Sequence, residues 1–245
     1  MNPTTLWLCA IVVASQSVET VAGFGGTVIA LSAGAHFFPL QKLVVSLVLV
    51  GLLQSSWIVA RGYRQIAWRL LLTKILPAAS VGLALGSFAF TLLGDAGLQL
   101  LLGGFVVVVS SVELVRLLRK GDAQPAPLPT PVGLLVLLAG GFFHGLFATG
   151  GPMIVYFASR ALPEKRVFRA TLSTLWLLMN CVLLGSFVYT GRLDREAATL
   201  SAFLLPSLGI GILLGELIHA RVNELTFRRL AQAVLLCTGV LLLVR

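Results

Sequence analysis

Ala22-Gly23-Phe24-Gly25-Gly26-Thr27 interrupts an apolar run in which a membrane helix would be continuous, and Ala148-Thr149-Gly150-Gly151-Pro152 does the same in the second half of the chain. Helix ends expose unpaired N–H and C=O groups that lipid cannot satisfy, so such breaks persist only where protein or a water-filled cavity meets them. Two breaks at matching places point to a transport site built from half-helices.

The surrounding sequence is strongly apolar. Hydrophobic residues make up 58% and charged residues 11%, with a mean hydropathy of +0.98, whereas about a quarter of the residues of a soluble domain are charged. Stretches long enough for a hydrocarbon core of about 30 Å cover residues 43–60, 70–93, 96–118, 170–189 and 197–218. The stretch 230–244 is shorter and extends toward residue 225 if Arg228 and Arg229 snorkel. This is an integral membrane protein with no stretch left over for a soluble domain. The proline-rich, polar linker GDAQPAPLPTP at 121–131 divides it into membrane repeats at 1–118 and 131–245, with 119–130 between them on the cytoplasmic side.

A net charge of +9 could in isolation suggest a nucleic-acid partner, but the Lys and Arg residues lie in short loops between apolar stretches. Positive-inside orientation accounts for them, and no nucleic acid is expected. Cys9, Cys181 and Cys237 stand singly in apolar segments without metal-ligand spacing, so neither a metal nor a disulfide framework is expected. No basic residue precedes the apolar run at 6–14, which argues against a cleaved signal peptide.

Offsetting the sequence by 129 residues superposes Gly62 on Gly191, Pro77 on Pro206, Gly82 on Gly211 and Gly86 on Gly215, and an offset of 125 puts Gly25 and Gly26 on Gly150 and Gly151. One small insertion reconciles the two offsets, which makes the halves an internal repeat. Loop charges bear on whether it is inverted. If eight hydrophobic segments all cross, nine cations face one side and eight the other, which gives no orientation signal. If segments 6–38 and 132–162 instead enter and leave by the same face, thirteen cations collect on one side against Lys42, Arg192, Arg195 and Arg245 on the other. The second arrangement predicts two inverted structural repeats in an all-α membrane fold. Each is a broken or re-entrant helical hairpin, with arms of about 11 to 16 residues that reach the midplane without crossing, plus three transmembrane helices. Both termini then face the periplasm. A parallel eight-span arrangement is the alternative.

In the inverted arrangement the second arm of each hairpin begins at its glycine pair, and helix N-termini point to the membrane centre. Free N–H groups and the positive end of the helix dipole suit an anion without a buried Arg or Lys. Gly25, Gly26 and Thr27 in the first half, and Thr149, Gly150, Gly151 and Pro152 in the second, are therefore candidate substrate-binding residues. Gln54 and Asn180, on the spans that follow, add amides able to bond anionic oxygens. The competing reading is that the glycines only let helices pack closely and that the polar side chains hold helices together. Glu19 and His144 match under the 125 offset, and intramembrane ionisable groups are costly, so they are candidates for relaying a proton with the cargo. His144 is equally compatible with a neutral imidazole bonded within the bundle. Glu113 can pair with Arg116, and neither it nor Glu216 is assigned a role.

Two related halves, a Gly-rich break near each start, and Pro39 and Pro163 shortly after the breaks resemble the sulfite exporter TauE/SafE family of bacterial inner-membrane transporters. The most family-like stretches are residues 22–27 and Gly140-Gly141-Phe142-Phe143-His144-Gly145-Leu146-Phe147-Ala148-Thr149-Gly150-Gly151-Pro152. The chain departs from the family in a reduced glycine series, with Ala148-Thr149 where a further glycine is usual. The resemblance implies outward movement of sulfite, sulfonates or other small sulfur-containing anions, in a multi-pass inner-membrane protein that is compatible with an oligomer.

The expected function is secondary transport by alternating access. A small-anion or water channel of the same architecture is the alternative. An intramembrane enzyme is disfavoured, because the chain lacks an H-E-x-x-H site, a G-x-S-x-G elbow and paired intramembrane carboxylates. No nucleotide motif or cofactor is expected.

Overall fold

The computed structural model describes residues 3–22, 24–119, 126–149, 151–219 and 224–244, and every regular element among them is helical. Linker residues 120–125 and the candidate Gly150 lie outside the described residues. The first break separates α1 (Pro3–Ala22) from α2 (Gly26–Gly34), and the second separates α7 (Thr130–Phe147) from α8 (Gly151–Ala161). The apolar stretches fall on α3 (Leu40–Gly62), α4 (Trp68–Leu70) with α5 (Leu76–Leu92), α6 (Asp95–Arg119), α9 (Lys165–Tyr189), α10 (Arg195–His219) and α11 (Glu224–Val244).

Seven helical stretches among the described residues are long and apolar enough to cross a membrane, and α1 and α7 are among them. The hairpin arms are therefore less equal than the sequence pattern implied. The first arms have 20 and 18 residues, and the returning arms 9 and 11. α1 is described from Pro3 and α7 starts at Thr130 with Pro131 in its first turn, so helix extends outward beyond each apolar run.

Between α4 and α5 the ladder widens into a π turn over Leu71–Ile75, where the Leu76 N–H bonds the Leu71 carbonyl. Pro77 has no N–H to offer the carbonyl of Thr73, and slipping the register by one residue accommodates that loss.

The chain packs as two compact units. One comprises Met1–Ser46, Leu93–Ala123 and Arg195–Arg245, and the other Leu47–Leu92 and Gln124–Asp194. Each draws on both sides of the linker, so packing divides the chain differently from the order of the sequence repeat.

In the first unit α10 lies against α1 through its repeat glycines. A Cβ at Gly211 would come within 2.9 Å of Gln16 Cβ, and one at Gly215 within 2.6 Å of Thr20 Cβ. Ser17 Oγ donates to the Gly211 carbonyl at 3.1 Å. α6 and α11 meet in the same manner, with Gly103 against Leu243 and Gly239 against Val106. One end of this unit is tied by polar contacts. The Gln41 N–H donates to Asp95 Oδ1 at 2.9 Å, Lys42 pairs with Glu196, and Ser201 Oγ donates to the Ser46 carbonyl at 3.0 Å. The starts of α3, α6 and α10 share that end.

In the second unit α5 and α7 interlock backbone to backbone. Gly82 and Gly86 abut Leu138 and Phe142 of α7, while Gly141 and Gly145 abut Ala79 and Leu83 of α5. Small residues allow this approach, which replaces side-chain contact with close van der Waals contact of the main chain. The end of α3 meets the start of α9, since a Cβ at Gly62 would lie 3.2 Å from Ala170 Cβ and the Ala67 N–H donates to Thr171 Oγ1 at 2.9 Å.

Candidate functional site

At the first break the two glycines have different tasks. Gly25 caps α2 at φ 94° with open space around it, so its role is conformational. Gly26 is buried, and a Cβ there would lie 2.5 Å from the Ser15 carbonyl oxygen and 2.6 Å from Glu19 Oε2, so its role is steric. Farther along, a Cβ at Gly34 would lie 3.1 Å from a side-chain carbon of Leu8. α2 thus folds back along α1.

That return brings the start of α2 onto Glu19, which is 8% exposed. The Thr27 N–H donates to Glu19 Oε2 at 3.0 Å, and the Thr27 hydroxyl approaches the same oxygen at 3.4 Å. An acidic group at a helix N-terminus meets otherwise unpaired N–H groups and the positive end of the dipole. This first turn already holds a carboxylate, where the sequence suggested N–H groups open to cargo. Nearby, Ser15 Oγ bonds the Val12 carbonyl and Thr20 Oγ1 the Gln16 carbonyl, so these hydroxyls are bound to α1 itself.

The second break is built differently. α7 ends in a left-handed residue, Ala148 at φ 51°, whose N–H donates to the His144 carbonyl at 2.7 Å. Thr149 is buried, Gly151 is buried at the opening of α8, and Pro152 is half-buried beside it. Pro152 has no N–H, so the first turn of α8 has one donor fewer than that of α2. α8 also folds back, with Ile154 against Gly140 and Phe157 against Gly133.

His144 is 1% exposed, and its Nε2 lies 3.1 Å from Asn180 Oδ1, a bond that Nε2–H donates. Its ring stacks on Trp176, with centroids 5.3 Å apart and planes 8° from parallel. Gly51 of α3 leaves room for the Asn180 amide, since a Cβ there would lie 3.1 Å from Nδ2. Gln54, buried at 1% exposure, follows one turn along α3. Thr174, four residues after Ala170, bonds that residue's carbonyl within α9.

The structure therefore joins Glu19 to Gly26 and Thr27 in one unit, and His144 to Asn180 in the other. Glu19 and His144 occupy matching positions one turn before their breaks but have unlike partners. Trp176 was missed in the sequence, although its place four residues before Asn180 puts both on one helix face. The capping of α2 by Glu19 was also missed, and its signal was an acid one turn before a break that opens a new helix. Glu113 pairs with Arg116 at 2.6 and 2.9 Å, as expected. Among the described residues no group of three or more His, Cys, Asp and Glu side chains could hold a metal.

The family model described as Sulfite exporter TauE/SafE matches residues 7–242. The chain belongs to this family. One TauE/SafE relative, the "Probable sulfite/organosulfonate exporter TauE" of Cupriavidus necator, is 27% identical over 247 residues, 96% of this chain and 91% of its own. The "Probable inner membrane transporter protein TsaS" of Comamonas testosteroni is 28% identical over 184 residues, 72% of each chain. No solved structure matches the chain. As a TauE/SafE protein it is a membrane transporter and not an enzyme.

Proposed function

We propose that this chain is a secondary transporter that exports sulfite, organosulfonates or related small sulfur-containing anions across the bacterial inner membrane by alternating access. The family match over nearly the whole chain and the names of the two relatives support the cargo class and the membrane. The observation that carries the reading is the Glu19 carboxylate on the Thr27 N–H. A negatively charged oxygen is the natural occupant of a helix start, and the opening turns of α2 and α8 are the proposed anion-binding elements. Gln54, Thr149 and Asn180 are the proposed polar lining, along with Gly25, Gly26, Thr27, Gly150, Gly151 and Pro152.

Proton coupling is the second part of the proposal, through Glu19 and His144. A proton on Glu19 neutralises the carboxylate held by the first turn of α2 and leaves that turn able to accept a cargo anion. Binding of anion and proton is linked in this way, since two anionic groups on the same N–H donors repel.

The proposed architecture is two inverted repeats, 1–118 and 131–245, each a hairpin plus three transmembrane helices, with both termini periplasmic. It is supported by the return of α2 along α1 and of α8 along α7. The pairing of Lys42 with Glu196 and the Ala67–Thr171 bond also support it. Each joins loops that a simple eight-span arrangement assigns to opposite faces.

Vesicles reconstituted with the protein and loaded with sulfite, sulfoacetate, taurine or sulfate provide the test. Saturable counterflow of sulfite or a sulfonate is expected. Flux without saturation or trans-stimulation would indicate a channel, and exchange of none of these anions would remove the cargo assignment.

A further inference from the structure

We propose that the turn joining α3 to α4 binds the phosphate headgroup of an anionic phospholipid. No Asp or Glu occurs between Glu19 and Asp95, while Arg61, Arg64, Arg69 and Lys74 all fall within that interval. The local positive charge has no acid of its own segment to offset it.

The turn is pinned while its side chains point away from the protein. Gly62 abuts Ala170, Ile66 is buried, and the Ala67 N–H is held by Thr171 Oγ1 at 2.9 Å. Around this fixed backbone Arg64, Arg69 and Lys74 are exposed, as are the rings of Trp57, Tyr63 and Trp68 at 43%, 55% and 49%. Arg64 Nε donates to the Tyr63 hydroxyl at 2.9 Å, and the Arg61 guanidinium lies 4.2 Å from the centroid of Trp57. A preset cluster loses little side-chain freedom when it takes up a headgroup.

Charge and aromatic character together specify the occupant. A soluble phosphate would use the cations alone, whereas half-exposed Trp and Tyr rings place an apolar body and a polar edge where headgroup and acyl chain meet. Basic residues at a helix end attract anionic lipid, but only where they are not already neutralised. At the end of α6 one of the two cations of the last turn is, since Arg116 is held by both oxygens of Glu113. The facing start of α9 adds exposed Arg166, two residues after the exposed acid Glu164.

Native mass spectrometry of the purified full-length protein, supplied with phosphatidylglycerol or phosphatidylcholine, tests the site. Phosphatidylglycerol should remain bound at least about tenfold better than phosphatidylcholine. The preference should disappear in the triple variant Arg64→Gln, Arg69→Gln, Lys74→Gln and persist in Arg116→Gln. Equal retention of the two lipids, or unchanged retention in the triple variant, overturns the proposal. A second measurement needs none of these charge changes. Brominated phosphatidylglycerol in vesicles should quench tryptophan fluorescence more than brominated phosphatidylcholine, and the double variant Trp57→Phe, Trp68→Phe should abolish the difference. Equal quenching by both lipids counts against the site.

Discussion

The Thr27 amide and the Glu19 carboxylate, eight residues apart in sequence, meet at 3.0 Å because α2 turns back on the helix that precedes it. Glu19→Gln keeps an acceptor for that amide but removes the charge, so folded protein should be retained with the pH dependence of transport weakened. Glu19→Ala removes the cap and should cost about 1 kcal/mol of stability. Flux measured across a pH series in vesicles checks the first expectation and thermal melting the second. A Glu19→Gln profile identical to that of the unsubstituted protein would make Glu19 a structural cap only.

Alanine should separate the two glycines of the first break. At Gly25 the space is open and only the left-handed backbone opposes a side chain, which costs about 1–2 kcal/mol. At Gly26 the new methyl group meets the Ser15 carbonyl and the Glu19 carboxylate, so Gly26→Ala should lower the melting temperature more than Gly25→Ala and abolish transport. Equal melting shifts would mean that α2 moves off α1 at little cost.

The His144–Asn180 bond gives a prediction in the other unit. Asn180→Ala leaves a buried imidazole N–H without its partner and should destabilise by about 1–3 kcal/mol. His144→Gln should weaken the pH dependence of flux if the imidazole carries a proton. A pH profile unchanged in His144→Gln, with a lowered melting temperature, would assign His144 to structure.

Cysteine accessibility tests the topology. With Cys9, Cys181 and Cys237 replaced, single cysteines at Arg64 and Arg166 should label from one face of the membrane and cysteines at Lys42 and Glu196 from the other. Labelling of positions 64 and 166 from opposite faces would restore the eight-span arrangement.

Much of this fold was legible because membrane helices announce themselves by length and hydropathy. The stretches at 43–60 and 170–189 fall inside α3 and α9. The repeated Gly82 and Gly211 marked real contacts, since both are places where one helix backbone nears another. Arm lengths were less legible, because helix extends beyond the apolar run wherever nothing opposes it, as at Pro3. Partner choice within the site was least legible. The pairing of Glu19 with Thr27 depends on the direction in which α2 leaves the break, and that of His144 with Asn180 on a crossing between distant segments.

Ala148 holds at φ 51° a conformation that most residues with a side chain avoid, where the first break uses Gly25 at φ 94°. A methyl group narrows the range of angles available, and glycine leaves it wide. Backbone rearrangement therefore meets less resistance at Gly25 than at Ala148. If one tip reshapes as cargo passes, the first is the pliable member of the pair and the second the stiff one.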